Sequence, residues 1–210
     1  MKKKKLIIFP FNGNGIEALD CINIDEYDFI GFIDDNPQKK SYQYDIFPRE
    51  VTDKYPELFV LAVPGSPASY LERSGVINSL KINISRYISV IHPSASIGKN
   101  VKIGYNCLIM AGTVITSNAV LNNHIIILPN SVIHHDVIVD NYTLIGSNVV
   151  VAGSATIGSN CYIGSGTNIK NGINIGNFSL VGLGSNLIRS IPENSRVAGN
   201  PARNLIDNLA

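Results

Sequence analysis

Between Ile91 and Pro192 the apolar residues recur in a single phase of six. The first position of each hexad is Ile91, Ile97, Ile103, Ile109, Ile115, Leu121, Ile127, Ile133, Val139, Ile145, Val151, Ile157, Ile163, Ile169, Ile175, Val181 or Leu187, with no residue inserted. The fifth position is mostly small or β-branched, as at Ala95, Val101, Cys107, Thr113, Ala119, Ser131, Thr143, Ala155 and Thr167. The fourth collects Asn, Asp and Gly (Asn100, Asn106, Gly112, Asn118, Asn130, Asp136, Asn148, Asn160, Gly166, Gly172, Gly184), the residues that best tolerate a left-handed backbone. A helix would space its apolar positions three and four apart. A fixed six-residue period predicts a solenoid instead, with short parallel strands, two inward side chains per hexad and a corner between strands.

The first ninety residues follow another pattern. Leu6 to Phe9 reads as a buried strand running into the turn Pro10-Phe11-Asn12-Gly13-Asn14-Gly15, and Ile16 to Ile22 has one apolar helical face. A second strand, Phe29 to Ile33, ends in Asp34-Asp35. A third, Leu58 to Val63, ends in Pro64-Gly65-Ser66-Pro67, with a helix following through Leu80. This is a βαβ arrangement, a small α/β, Rossmann-like domain over residues 1–90 ahead of a solenoid over residues 91–210. Ligands of open parallel sheets bind at the carboxyl ends of the strands, so Asn12, Gly13, Asn14, Gly15, Asp34, Asp35 and Gly65 are expected to converge. Glycines at a helix start present N–H groups to phosphate, which points to a nucleotide.

Composition narrows the partners. Formal charge is +1, so nucleic acid and anionic membrane are not indicated. No apolar run reaches the length of a membrane span, and a cytoplasmic protein is expected. Cys21, Cys107 and Cys161 have no metal or redox spacing. The solenoid has one concentration of titratable residues, His134-His135-Asp136. Imidazole titrates near neutrality and suits general-base chemistry, and an adjacent carboxylate can fix its tautomer. The four histidines, His92, His124, His134 and His135, are spaced wrongly to converge on zinc, so no metal is expected.

The hexads resemble the hexapeptide-repeat superfamily, whose left-handed parallel β-helix has three hexads per triangular coil. On that coil length the prism stands about 27 Å tall. The order of parts, a βαβ domain, then Ile91-His92-Pro93-Ser94-Ala95, then hexads, is similar to bacterial nucleotide-sugar N-acetyltransferases and sialic-acid-locus O-acetyltransferases. Pro10 stands where that family has the first glycine of its turn motif, and Asn14 where it has a histidine. The resemblance implies an acetyl-CoA-dependent N-acetyltransferase for the amino group of a nucleotide-linked amino sugar in surface-glycan biosynthesis. His135 would be the base, Asp136 its partner and Gly153, eighteen residues on, the oxyanion donor. The family's second histidine falls at Leu144. The ending Gly199-Asn200-Pro201-Ala202-Arg203 resembles the superfamily's terminal segment, which borders the CoA adenine; Lys170, Arg196 and Arg203 would meet the CoA phosphates.

The same residues would serve a sugar O-acetyltransferase, and a non-enzymatic nucleotide-binding scaffold is the alternative of a different class. The outward stripe Tyr105, Leu108, Val114, Val120, Ile126, Val132, Ile138, Leu144 and Val150 is too apolar for a solvent face. Together with the superfamily's three-fold assemblies, it predicts a homotrimer.

Overall fold

The computed structural model describes residues 3–205. Its N-terminal part is a small parallel sheet of β1 (Lys4–Phe9), β2 (Tyr27–Ile33), β3 (Ile46–Phe47) and β4 (Phe59–Ala62), in the order β3-β2-β1-β4. Three short helices accompany it: α1 (Gly13–Glu17), α2 (Val51–Lys54) and α3 (Arg73–Asn78). The expected first helix over Ile16–Ile22 begins earlier, because Asn12 caps it by accepting the Gly15 N–H at 2.8 Å, and it tightens into a 3₁₀ turn at Ala18–Cys21. The two-residue β3 is too short to leave a pattern in the sequence.

From Val90–Ile91 to Asn186–Leu187 each hexad contributes a two-residue strand. Strands pair in parallel with those eighteen residues away, as Val132↔Val150 and Ile133↔Val151, so the chain winds as a three-faced prism. First and fifth positions fill its interior: Cys107, Ile109, Ala119, Leu121, Ile133, Ile145, Ala155 and Ile163 are all essentially inaccessible. Every fourth position from 100 to 184 has positive φ, including His124, Tyr142, Ser154 and Phe178 beside the expected Asn, Asp and Gly. A non-glycine residue there costs about 1–2 kcal/mol. The bulky exceptions therefore require a separate reason.

Docking of the N-terminal sheet supplies it. Side chains alternate along β1, so Leu6 and Ile8 face the prism while Ile7 and Phe9 face the helices. Leu6, Ile8, Phe32, Leu61 and Val63 pack on Leu108, Ile126 and Leu144. Burying those three prism side chains contributes roughly 5–9 kcal/mol. This corrects the reading of the apolar stripe: Leu108, Ile126 and Leu144 are covered by the chain's own sheet, not by another copy. Val114, Val120, Val132 and Val150 stay half-buried and Ile138 exposed.

One corner column carries the seam. The Asn106 amide brackets the Ala62 backbone, accepting from its N–H at 2.7 Å and donating to its carbonyl at 2.8 Å. Tyr142 donates its hydroxyl to Asn78 Oδ1 at 2.9 Å, and Asn160 Nδ2 donates to the Tyr70 and Leu71 carbonyls and to Ser74 Oγ. His124 stacks on Tyr142 with centroids 4.6 Å apart. Arg73 lies wholly buried in the same seam, its Nε donating to the Pro64 carbonyl at 2.7 Å and its Nη1 to the His124 carbonyl. Burial lowers its guanidinium to about 9.

Candidate active site

A second corner column holds Asn100, Asn118, Asp136, Ser154 and Gly172, with His135 beside Asp136. The His135 Nδ1 lies 2.7 Å from Asp136 Oδ2, and Asn118 Nδ2 donates to Asp136 Oδ1 at 3.1 Å. Both members of the pair are exposed. The hydrogen bond from His135, then that from Asn118, holds the Asp136 carboxyl below its ordinary value. An ionised carboxylate only accepts, so it draws the proton to Nδ1 and leaves the Nε2 lone pair free. That nitrogen lies over Gly153, where an added Cβ would sit 2.5 Å from it. Only glycine at 153 lets the imidazole lie there.

Gly153 also offers a donor. On the other two corners the equivalent N–H is taken by a side chain one coil on: Asn123 by Asn141, Ser147 by Ser165 and Ser159 by Asn177. Among the described residues, the Gly153 N–H has no such acceptor. A neutral imidazole nitrogen beside an unengaged amide can accept a proton from a nucleophile and receive developing negative charge on oxygen.

His134 belongs to the neighbouring column, its N–H bonded to the Val151 carbonyl, and is half-buried. Leu144 is buried under the N-terminal sheet on another face. Lys170 is exposed, two coils beyond His134, and lines a shallow groove of about 380 Å³ with Asn168, Asn186, Ile188 and Asn200. Arg196 is on a different face, where its strand pairs with Leu180–Val181, and it bears on the Tyr70 phenol. Arg203 is exposed and donates to the Pro201 and Ala202 carbonyls.

At the carboxyl edge of the N-terminal sheet the expected residues meet in part. Asn14 Nδ2 donates to the Gly65 carbonyl at 3.2 Å, and Asp34 Oδ2 accepts the Phe11 N–H at 3.1 Å and Lys39 Nζ at 2.7 Å. An added Cβ at Gly15 would lie 2.5 Å from the Pro10 carbonyl oxygen, whereas Gly13 is open. Asp35 turns the other way and forms a two-pronged pair with Arg49, with Nη2 to Oδ2 at 2.6 Å. Asp34, Asp35, Lys39, Phe47 and Arg49 line a cavity of about 380 Å³. Lys39 and Arg49 carried no signal in the sequence, because their acidic partners only meet them through the fold. Asn118 did carry one, since it precedes Asp136 by one coil.

A family model for bacterial transferase hexapeptide repeats (six repeats) matches residues 136–171. Residues 136–171 thus match the hexapeptide repeat, and the prism has the left-handed parallel β-helix fold. Sequence comparison with curated proteins gives no match. Among solved structures, the hexapeptide-repeat chain is similar to the acetyltransferase domain of PglB from Neisseria gonorrhoeae FA1090 in complex with acetyl coenzyme A. The TM-score is 0.85 at 22% identity, over 97% of this chain and 100% of that one. It is similar to a histidine-to-asparagine variant of perosamine N-acetyltransferase from Caulobacter crescentus in complex with CoA and GDP-perosamine, with TM-score 0.85 at 19% identity over 99% of both chains. WeeI from Acinetobacter baumannii AYE gives 0.81 at 21% identity, over 97% of this chain and 100% of that one. No helix among the described residues of the hexapeptide-repeat chain is long and apolar enough to cross a membrane.

Proposed function

We propose that the protein is an acetyl-CoA-dependent N-acetyltransferase acting on the amino group of a nucleotide-linked amino sugar, in the cytoplasmic stage of surface-glycan assembly. The observation that carries this reading is the His135–Asp136 pair laid over Gly153. Whole-length likeness to acetyltransferases in complex with acetyl coenzyme A, or with CoA and GDP-perosamine, supports the substrate class.

Acetyl-CoA supplies an activated acyl group. As the acceptor nitrogen bonds to the acyl carbon, His135 Nε2 takes the amine proton and the Gly153 N–H donates to the oxygen that gains charge. Asp136 stabilises the imidazolium, which then protonates the departing thiolate. Lys170 and Arg203 are the cations offered for the CoA phosphates, whereas Arg196, expected with them, lies on another face beside Tyr70; the Rossmann-like N-terminal part, residues 1–90, would hold the nucleotide. There Asn12, Gly13, Asn14, Gly15 and Gly65 border the phosphates, and Asp34 and Asp35 the base or ribose. The unit that acts is a homotrimer, formed through the prism faces that keep Val114, Val132 and Val150 half-exposed.

The test is a pair of substitutions assayed with acetyl-CoA and a panel of nucleotide-linked amino sugars. His135→Ala is expected to lower kcat by about 10²–10⁴-fold with little change in acetyl-CoA binding. His134→Ala, in the neighbouring column, is expected to be mild. A crippling His134→Ala with a mild His135→Ala would move the base by one position, and two mild effects would remove the acetyltransferase reading.

A further inference from the structure

The His135–Asp136 pair is exposed, with side-chain accessibilities of 61% and 49%, so packing does not hold it in place. Something else must fix the carboxylate. One coil before Asp136 stands Asn118, and one coil before that Asn100, all in the left-handed conformation with φ of 59°, 63° and 59° in chain order from Asn100. Identical backbone geometry stacks their side chains directly. Asn100 Nδ2 donates to Asn118 Oδ1 at 3.2 Å, Asn118 Nδ2 donates to Asp136 Oδ1 at 3.1 Å, and Asp136 Oδ2 receives His135 Nδ1 at 2.7 Å.

The chain of bonds has only one possible polarity. An ionised carboxylate has no donor, so Asn118 must turn its NH₂ toward Asp136 and its oxygen back to Asn100. With Oδ1 occupied, Oδ2 is left for the imidazole. We propose that Asn118 is a positioning residue for the His135 base, setting through Asp136 which imidazole nitrogen carries the proton. The inference deepens the acetyltransferase reading and rests on it for its catalytic consequence. The hydrogen-bond ladder stands on geometry alone.

Few other groups compete for His135. Asp136 and His134 flank it in the chain, Ser117 precedes it by one coil and Gly153 follows by one. The charged side chains further along these columns are Lys99 and Lys170, each two coils away from the pair.

Histidine NMR on ¹⁵N-labelled protein tests the proposal without any substrate. Four imidazoles are present, and His135→Asn assigns the one of interest. In the unaltered protein His135 is expected as the Nδ1–H tautomer. Asn118→Gly keeps the positive φ and removes the amide that holds Asp136, so the share of Nε2–H tautomer rises. Asn118→Asp keeps the size but has no N–H to offer Asp136, so the Nε2–H share rises there too. A tautomer change shared by two variants of different size, with a thermal melt verifying that each folds, is not produced by a general loss of structure. If Asn118→Gly does not fold, the tautomer in Asn118→Asp alone decides. An unchanged tautomer in folded variants overturns the proposal. Should His135 respond to Asn118 while His135→Ala leaves acetyl transfer intact, the ladder stands and the acetyltransferase reading falls.

Discussion

His124 makes the seam between the N-terminal sheet and the prism sensitive to acid. It is 3% exposed, stacked on Tyr142, edge-on to Tyr87 and Tyr105, and close to the Arg73 guanidinium. Its Nδ1 accepts from Asn106 Nδ2 at 2.8 Å, and Asn106 cannot turn over because its other atoms hold the Ala62 backbone. A proton on Nδ1 would thus point one donor at another. Burial first, then Arg73, lowers the His124 pKa from 6.5 to about 4.

The unfolded chain therefore binds this proton more readily than the native one. Native stability is lost as pH falls below about 6.5, and the loss levels off below about 4. From this pKa difference the loss is about 2 kcal/mol at pH 5 and about 3 kcal/mol at pH 4, relative to pH 7. Asn fits a left-handed corner, so His124→Asn removes the titration at little backbone cost. Urea unfolding of both proteins at pH 7, 5 and 4, at one protein concentration, separates His124 from the carboxylates common to both. The original protein should lose about 3 kcal/mol more than His124→Asn between pH 7 and pH 4. A difference below about 1 kcal/mol would refute the idea that His124 is held neutral.

Gly153→Ala should lower the acetyl-transfer rate nearly as far as His135→Ala, because the new methyl takes the imidazole's place; a thermal melt shows whether the fold survives. Asp35→Ala frees Arg49 and should weaken nucleotide-sugar binding while acetyl-CoA binding stays the same, both read by calorimetry. Light scattering at micromolar concentration should give a trimer mass, and a monomer would sink the proposed assembly.

The six-residue phase made the prism legible, since Ile133 or Ile163 can occupy only one inward column. It could not say which face would be covered. Leu108, Ile126 and Leu144 look in sequence like Val114, Val132 and Val150, and only the tertiary docking of β1 separates them. His124, Tyr142 and Phe178 broke the pattern of corner residues, and that breach was the available sign of the seam. The pairing of Asp35 with Arg49 was not legible, because neither residue carries information about the other until β3 brings the loops together. The relation of His135 to Gly153 needed only the coil length.

The stacking of like residues every eighteen positions makes this protein's length a matter of whole turns. Adding or removing a single hexad within the prism would keep every inward isoleucine inward and every strand hydrogen-bonded. It would also rotate all later residues by one third of a turn. Inserted between Asn118 and Asp136, it would carry the carboxylate to a face its amide cannot reach. Inserted between Tyr142 and Asn160, it would detach half of the seam from the N-terminal sheet. The core cannot detect such a change, and the two corner columns cannot survive it. Lengthening compatible with both must come in units of eighteen, outside the interval those columns span.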